Sequence, residues 1–116
     1  MHNFRRLTIW MKSMNLVTEI YQLTNTFPVH ERFGLISQMQ RAAVSIPTNI
    51  AEGSAKTSNK DFSRFLEIAV GSSLELETEL TIALNLKYID SMNFENIQNE
   101  IIELQKMITV FKNKLE

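Results

Sequence analysis

A chain of 116 residues is long enough to enclose one hydrophobic core and short for two domains of ordinary size. Three glycines and two prolines leave little material for the many turns of an all-β fold, and the absence of cysteine excludes disulfides, thiolate metal sites and a cysteine nucleophile. The formal net charge of −1 conceals a lopsided distribution: residues 1–64 hold eight basic side chains against four acidic ones, and residues 65–116 hold four against nine. That polarity has two readings, an anion-binding face or basic and acidic helices that pair with each other inside one molecule.

Near the start, Lys12, Asn15 and Glu19 interrupt any apolar export signal behind Arg5 and Arg6, and no run approaches membrane-spanning length. A cytoplasmic chain without a membrane partner is the expectation. The first helix is predicted from about Arg6 to Thr24. Leu7, Trp10, Met14, Val17, Tyr21 and Thr24 form one heptad-spaced stripe, and Ile9, Leu16, Ile20 and Leu23 form a second beside it. On this reading Trp10 and Tyr21 fall on the buried seam. Phe27-Pro28 ends the element, because the residue before proline is pushed out of helical geometry.

Ile36, Met39, Ala43, Ile46, Ile50 and Gly53 recur at steps of three and four, which predicts a second helix to about Glu52 with Gly53 as a left-handed cap. Pro47 lies inside it, lacks a backbone donor and crowds the carbonyl of Ala43, so the helix is expected to bend or break there. Gln38, Ala42, Ser45 and Asn49 make a small, polar stripe beside the seam. Ser45 and Asn49 are placed to hydrogen-bond carbonyls that Pro47 frees.

Ser58, with Asp61 three residues on, predicts the N-cap of a third helix. Phe62, Leu66, Ala69, Ser73, Leu76, Leu80 and Ala83 give it an unbroken seam. Phe65, Ile68, Val70, Leu74, Ile82, Leu84 and Leu86 place apolar groups on its other sides, more than a single four-helix bundle covers, which points to a second subunit. Gly71 with Ser72 and Ser73 allows close helix approach. A fourth helix, capped by Ser91 or Asn93, carries Phe94, Ile97, Ile101, Leu104, Ile108, Phe111 and Leu115, with an opposite side polar except for Ile102. The expected architecture is all-α: one antiparallel up-down-up-down four-helix bundle over residues 1–116, with a proline-kinked second helix.

Catalytic chemistry finds no residue set. His2 and His30 have no further ligand at metal-binding spacing, and Glu75 and Glu79 lack the Glu-x-x-His pairs of a di-iron bundle. There is no nucleophile elbow and no glycine loop to cradle phosphate. No catalytic, cofactor or metal residue is therefore assigned. Arg41, Lys56, Lys60 and Arg64 gather near the turn between helices two and three, with Arg5 and Arg6 adjoining, and such cations bind RNA or DNA phosphates through counterion release. Pairing of the same cations with acids of helices three and four is the competing account. A protein-interaction scaffold, using the surplus apolar faces of helices one and three, is the competing function.

Several segments together resemble one family. They are Arg6-Leu7-Thr8-Ile9-Trp10-Met11-Lys12, Tyr21, Phe27-Pro28 with Glu31, the run from Gln38 to Gly53, Phe62 with Arg64-Phe65-Leu66, and Gly71-Ser72-Ser73-Leu74-Glu75-Leu76-Glu77. These resemble the four-helix-bundle proteins encoded in intervening sequences of bacterial 23S ribosomal RNA genes, some of which carry a ribosomal-protein label. The resemblance implies a cytoplasmic bundle that assembles as a ring-like homopentamer, with Trp10, Tyr21, Pro47, Asn49, Gly53 and Gly71 among its structural positions. The chain is also similar to accessory proteins of diversity-generating retroelements, which bind nucleic acid through a basic surface and associate with a reverse transcriptase. It departs from that subgroup in lacking a strongly basic balance.

Overall fold

The computed structural model describes residues 2–115, and in them four helices pack around one core: α1 (Thr8–Thr24), α2 (Leu35–Ser54), α3 (Asn59–Asn85) and α4 (Ser91–Lys114). Single 3-10 turns at Phe4–Arg6 and Val29–Glu31 precede α1 and α2. Successive helices run in opposite directions. Along α1 and α2, the His2 amide reaches the Ser54 carbonyl at one end and Gln40 reaches Thr24 toward the other. Between α3 and α4, Asn59 reaches the Leu115 carbonyl while Gln105 and Gln98 reach Glu77.

The seams predicted for α2, α3 and α4 face the core. All seven positions from Phe62 to Ala83 in the α3 seam are buried, as are Met39, Ala43, Ile46 and Ile50 of α2 and Phe94, Ile97, Ile101, Leu104 and Ile108 of α4. In α1 the order of the two stripes is reversed. Ile9, Leu16 and Ile20 are buried, whereas Met14 and Tyr21 of the expected leading stripe are exposed, Tyr21 by 45%. Trp10 is half-buried, edge-on to Phe4.

Local signals differ from expectation at several points. Ser58 caps α3 by accepting from the Asp61 amide at 3.1 Å, as its position predicts. Asp90, rather than Ser91 or Asn93, caps α4, accepting from the Asn93 amide at 2.8 Å. A carboxylate one residue earlier reaches that amide and also complements the helix dipole. Gly53 is not a left-handed cap: α2 continues to Ser54, no glycine has positive φ, and the left-handed residue is Lys87 (φ 65°) after α3. What Gly53 supplies is clearance. A Cβ there would lie 2.7 Å from Phe65 Cβ and 2.8 Å from Phe62 Cδ1.

Helix α2 passes through Pro47 unbroken. Polar side chains bond backbone carbonyls around it: Thr48 Oγ1 donates to the Val44 carbonyl at 2.8 Å, and Asn49 Nδ2 donates to the Ser45 carbonyl at 2.8 Å and to its hydroxyl at 2.9 Å. Ser45 itself turns outward from α2, its hydroxyl 2.8 Å from that of Ser72 on α3, so it joins two helices instead of serving a freed carbonyl. Gly71 lies open, with nothing of the same subunit within 4 Å of an added Cβ. No close helix approach inside the subunit depends on it.

Candidate nucleic-acid interface

Opposed helices bring the start of α1, the end of α2, the start of α3 and the end of α4 to one end of the bundle. Contacts tie that end together: the His2 ring packs at steep angles against Phe62 and Phe111 at centroid distances of 5.1 and 5.9 Å, and Asn59 Nδ2 donates to the Leu115 carbonyl. Arg5 and Arg6 therefore lie at the same end of the bundle as Lys56, Lys60 and Arg64. Arg41 does not join them, because it lies thirteen helical steps before Ser54, about 20 Å along the axis. Lys112 and Lys114 in the last turn of α4 do join, with Lys106 two turns back beside Arg6, and sequence spacing did not select them. Their signal is topological: in an up-down-up-down bundle, the last turns of α2 and α4 share an end.

The competing account, pairing with acids, holds for two of these cations. Lys112 lies 3.3 Å from Glu67 and Arg64 lies 4.0 Å from Asp61. Among the described residues, Arg5, Arg6, Lys56, Lys60, Lys106 and Lys114 have no carboxylate within ion-pair distance. Arg5 covers the ring of Phe4 at 4.5 Å and Lys56 that of Phe65 at 5.0 Å, which steadies both stems while their charges stay wet. Tyr21 is exposed but borders Phe27 and Arg32, away from this end, and is not part of the patch.

Acids dominate the middle of the molecule. Glu19 on α1 and Glu100 on α4 line a cavity of about 380 Å³ together with Lys12 and Glu103. Burial first, then the hydrogen bond to Glu100 and its charge, push Glu19 from 4.5 up to about 7. On α3, burial and then the charge of Glu75 push Glu79 up to about 7; its Oε1 is buried without a hydrogen-bond partner. Lys12 and Glu103 pair at 2.8 Å, which raises the lysine and lowers the carboxyl. The net negative charge of this belt repels polyanions.

The two raised carboxyls set a pH dependence. Between 4.5 and about 7 the folded state binds more protons than the unfolded chain, so stability is greatest below this window and falls as pH rises through it. Glu31 is lowered, chiefly by the Leu35 amide, and Glu103 by Lys12, so their contributions are lost at still lower pH. The melting temperature is expected to peak near pH 5 and decline toward pH 8. Glu79→Gln should flatten that decline by a few degrees, roughly, for a half-exposed group. A melting series at pH 5–8 with identical slopes for the two proteins would contradict the assignment.

Among the described residues no three His, Asp or Glu side chains converge as metal ligands, and no helix is long and apolar enough to cross a membrane. Fold and surface define an all-α bundle with a cationic end and an acidic waist. By its match to the family model for the 23S rRNA-intervening sequence protein over residues 5–110, the chain belongs to that family. It is also similar to a crystal structure of a protein of unknown function from the S23 ribosomal protein family of Bacteroides thetaiotaomicron, at 26% identity and a TM-score of 0.84, over 90% of this chain and 95% of that one. No curated protein matches it.

Proposed function

We propose that this chain is a non-enzymatic, cytoplasmic accessory protein that assembles with copies of itself and binds RNA or DNA phosphates at the basic end of the bundle. One observation carries the reading: Arg5 and Arg6 before α1, Lys56 between α2 and α3, Lys60 at the start of α3, and Lys106 and Lys114 in the last third of α4 are without an acidic partner among the described residues. Assembly is supported by exposed Ile68, Leu74 and Ile82 on α3, Leu86 just after it, and Met11, Met14 and Tyr21 on α1. Five copies in a ring is what the family resemblance implies, and a ring repeats the cationic patch in each subunit.

The reading is tested with a fluorescent single strand and the purified protein, whose mass is first measured by light scattering. If each subunit neutralises four phosphates, affinity should fall about 50-fold between 50 and 200 mM salt. Lys56→Glu with Lys60→Glu should weaken binding at least tenfold, roughly. Arg41→Glu, outside the patch, should not. A 13.4 kDa species at all concentrations would overturn the assembly, and salt-independent or undetectable binding would overturn the interface. A second reading, a scaffold for a partner protein such as a reverse transcriptase, is favoured by the far end, where Val29, Phe33 and Met92 are largely exposed.

A further inference from the structure

The loosest seam of the bundle lies between the start of α1 and the end of α4, where a groove of about 470 Å³ opens. Its floor is apolar: Leu7, Met107 and Phe111 are half-buried, and Val110 is 53% exposed. Two ridges of α4 make this surface. Lys106, Val110 and Lys114 stand at steps of four on the outer ridge, and Met107, Phe111 and Leu115 on the next. Lys106 and Lys114 are thus about 12 Å apart along the axis, two turns, with Val110 between them. Arg6 faces them from the α1 side.

We infer that this groove docks an amphipathic helix from a partner protein, apolar on the face that meets Val110 and acidic on both flanks. Charge selects the acid. The rim is Arg6, Lys106 and Lys114, none within ion-pair distance of a carboxylate among the described residues, and acids one or two turns apart on the incoming helix match the Lys106 to Lys114 spacing. The start of α1 adds to it: Leu7 provides no side-chain cap and the first turn holds no acid, so its positive end is uncompensated beside the groove. The floor selects the apolar face. Phosphates and sugars gain nothing from Val110, Met107 and the edge of Phe111, whereas Leu, Ile or Phe at steps of three and four bury them, the groove-and-helix mode of recognition. The groove shares Arg6, Lys106 and Lys114 with the basic end on which the phosphate-binding reading rests, but its apolar floor and Lys56 and Lys60 at the turn between α2 and α3 do not overlap, so the two readings are separable by variants at those positions.

The probe is a synthetic, fluorescein-labelled helix of about three turns, with leucines at steps of three and four and glutamates on both flanks. Its anisotropy is followed with the full chain. The expected result is saturable binding, about tenfold weaker or worse for a control peptide in which glutamine replaces every leucine. Val110→Asn, a change at an exposed position that leaves all charges in place, should cost about tenfold for the leucine peptide and leave the RNA affinity unchanged. Lys56→Glu with Lys60→Glu should do the opposite. Equal binding of the two peptides would overturn the inference, since charge alone would then explain it. So would an unaltered peptide affinity in Val110→Asn, or a change in the mass of the assembly in that variant, which would make the occupant a second copy of this chain. An RNA affinity that falls with the peptide's would give the groove to nucleic acid instead.

Discussion

Phe62→Ala is expected to lower the stability of the fold by about 3–5 kcal/mol, a large part of what a domain of this size possesses. Phe62 is 2% exposed and sits at the second turn of α3, where the ends of all four helices converge. Its ring lies 5.6 Å from Phe111 of α4, edge to face, and 5.1 Å from His2, and it fills the space beside Gly53 of α2. Truncation therefore removes transfer energy and aromatic contacts together, and leaves a cavity that three helices border but cannot easily close. Thermal melting should show a fall of roughly 10–25 °C with the transition still cooperative. Phe111→Ala, on a half-buried ring, should cost less than half as much. Equal losses for the two would mean that Phe62 is not the centre of this end of the core.

Periodicity read α2, α3 and α4 well because each carries one seam that recurs at steps of three and four along the helix; Leu66, Leu76 and Leu80, or Ile97, Ile101 and Ile108, stay on one face, whereas the other apolar residues of α3, such as Ile68, Leu74 and Ile82, scatter over several. In α1 two stripes of similar apolarity lie side by side, and helical spacing cannot say which of them a neighbour will cover. The neighbours decided it. Ser13 and Thr24, small enough to pack and satisfied by their own backbone through the Trp10 and Ile20 carbonyls, sit with Ile9, Leu16 and Ile20 in the core, and the larger Met14 and Tyr21 are left outside. The basic end was only half legible for a related reason. Arg5, Arg6, Lys56, Lys60 and Arg64 adjoin in a chain folded back once, but Lys106, Lys112 and Lys114 arrive through the α3 to α4 connection, forty residues later. Arg41 is near Lys56 in number and far from it along a rigid rod. The apolar flank of α4 was hidden too, since Met107 and Val110 fall among lysines and read as a solvated side until Leu7 of α1 is seen across from them.

Gly53 and Gly71 look alike in sequence, each within or at the end of a helix and each beside a serine, and their alanine variants are expected to move stability in opposite directions. Replacing an exposed helical glycine by alanine removes backbone freedom from the unfolded chain and gains about 1 kcal/mol. At Gly71 nothing in the subunit stands within 4 Å of the new methyl group, so Gly71→Ala should realise that gain, unless the assembly uses this position, in which case the mass by light scattering falls as the subunit's own stability rises. At Gly53 the same gain is available and is overwhelmed. The methyl carbon would sit 2.7 Å from Phe65 Cβ, an atom fixed to the α3 backbone that no rotamer change can withdraw, and 2.8 Å from the packed ring of Phe62. α2 and α3 must then separate where they are closest, at an overpacking cost of about 1–3 kcal/mol, more if the ring of Phe62 is expelled. Gly53→Ala should thus be destabilising by up to about 2 kcal/mol net, and Gly53→Val by more, since a branched side chain adds two further carbons to the clash. Denaturant midpoints of the three variants decide the matter: a Gly53→Ala protein as stable as Gly71→Ala would show that the two helices have slack at their junction, and that glycine is there for some reason other than room.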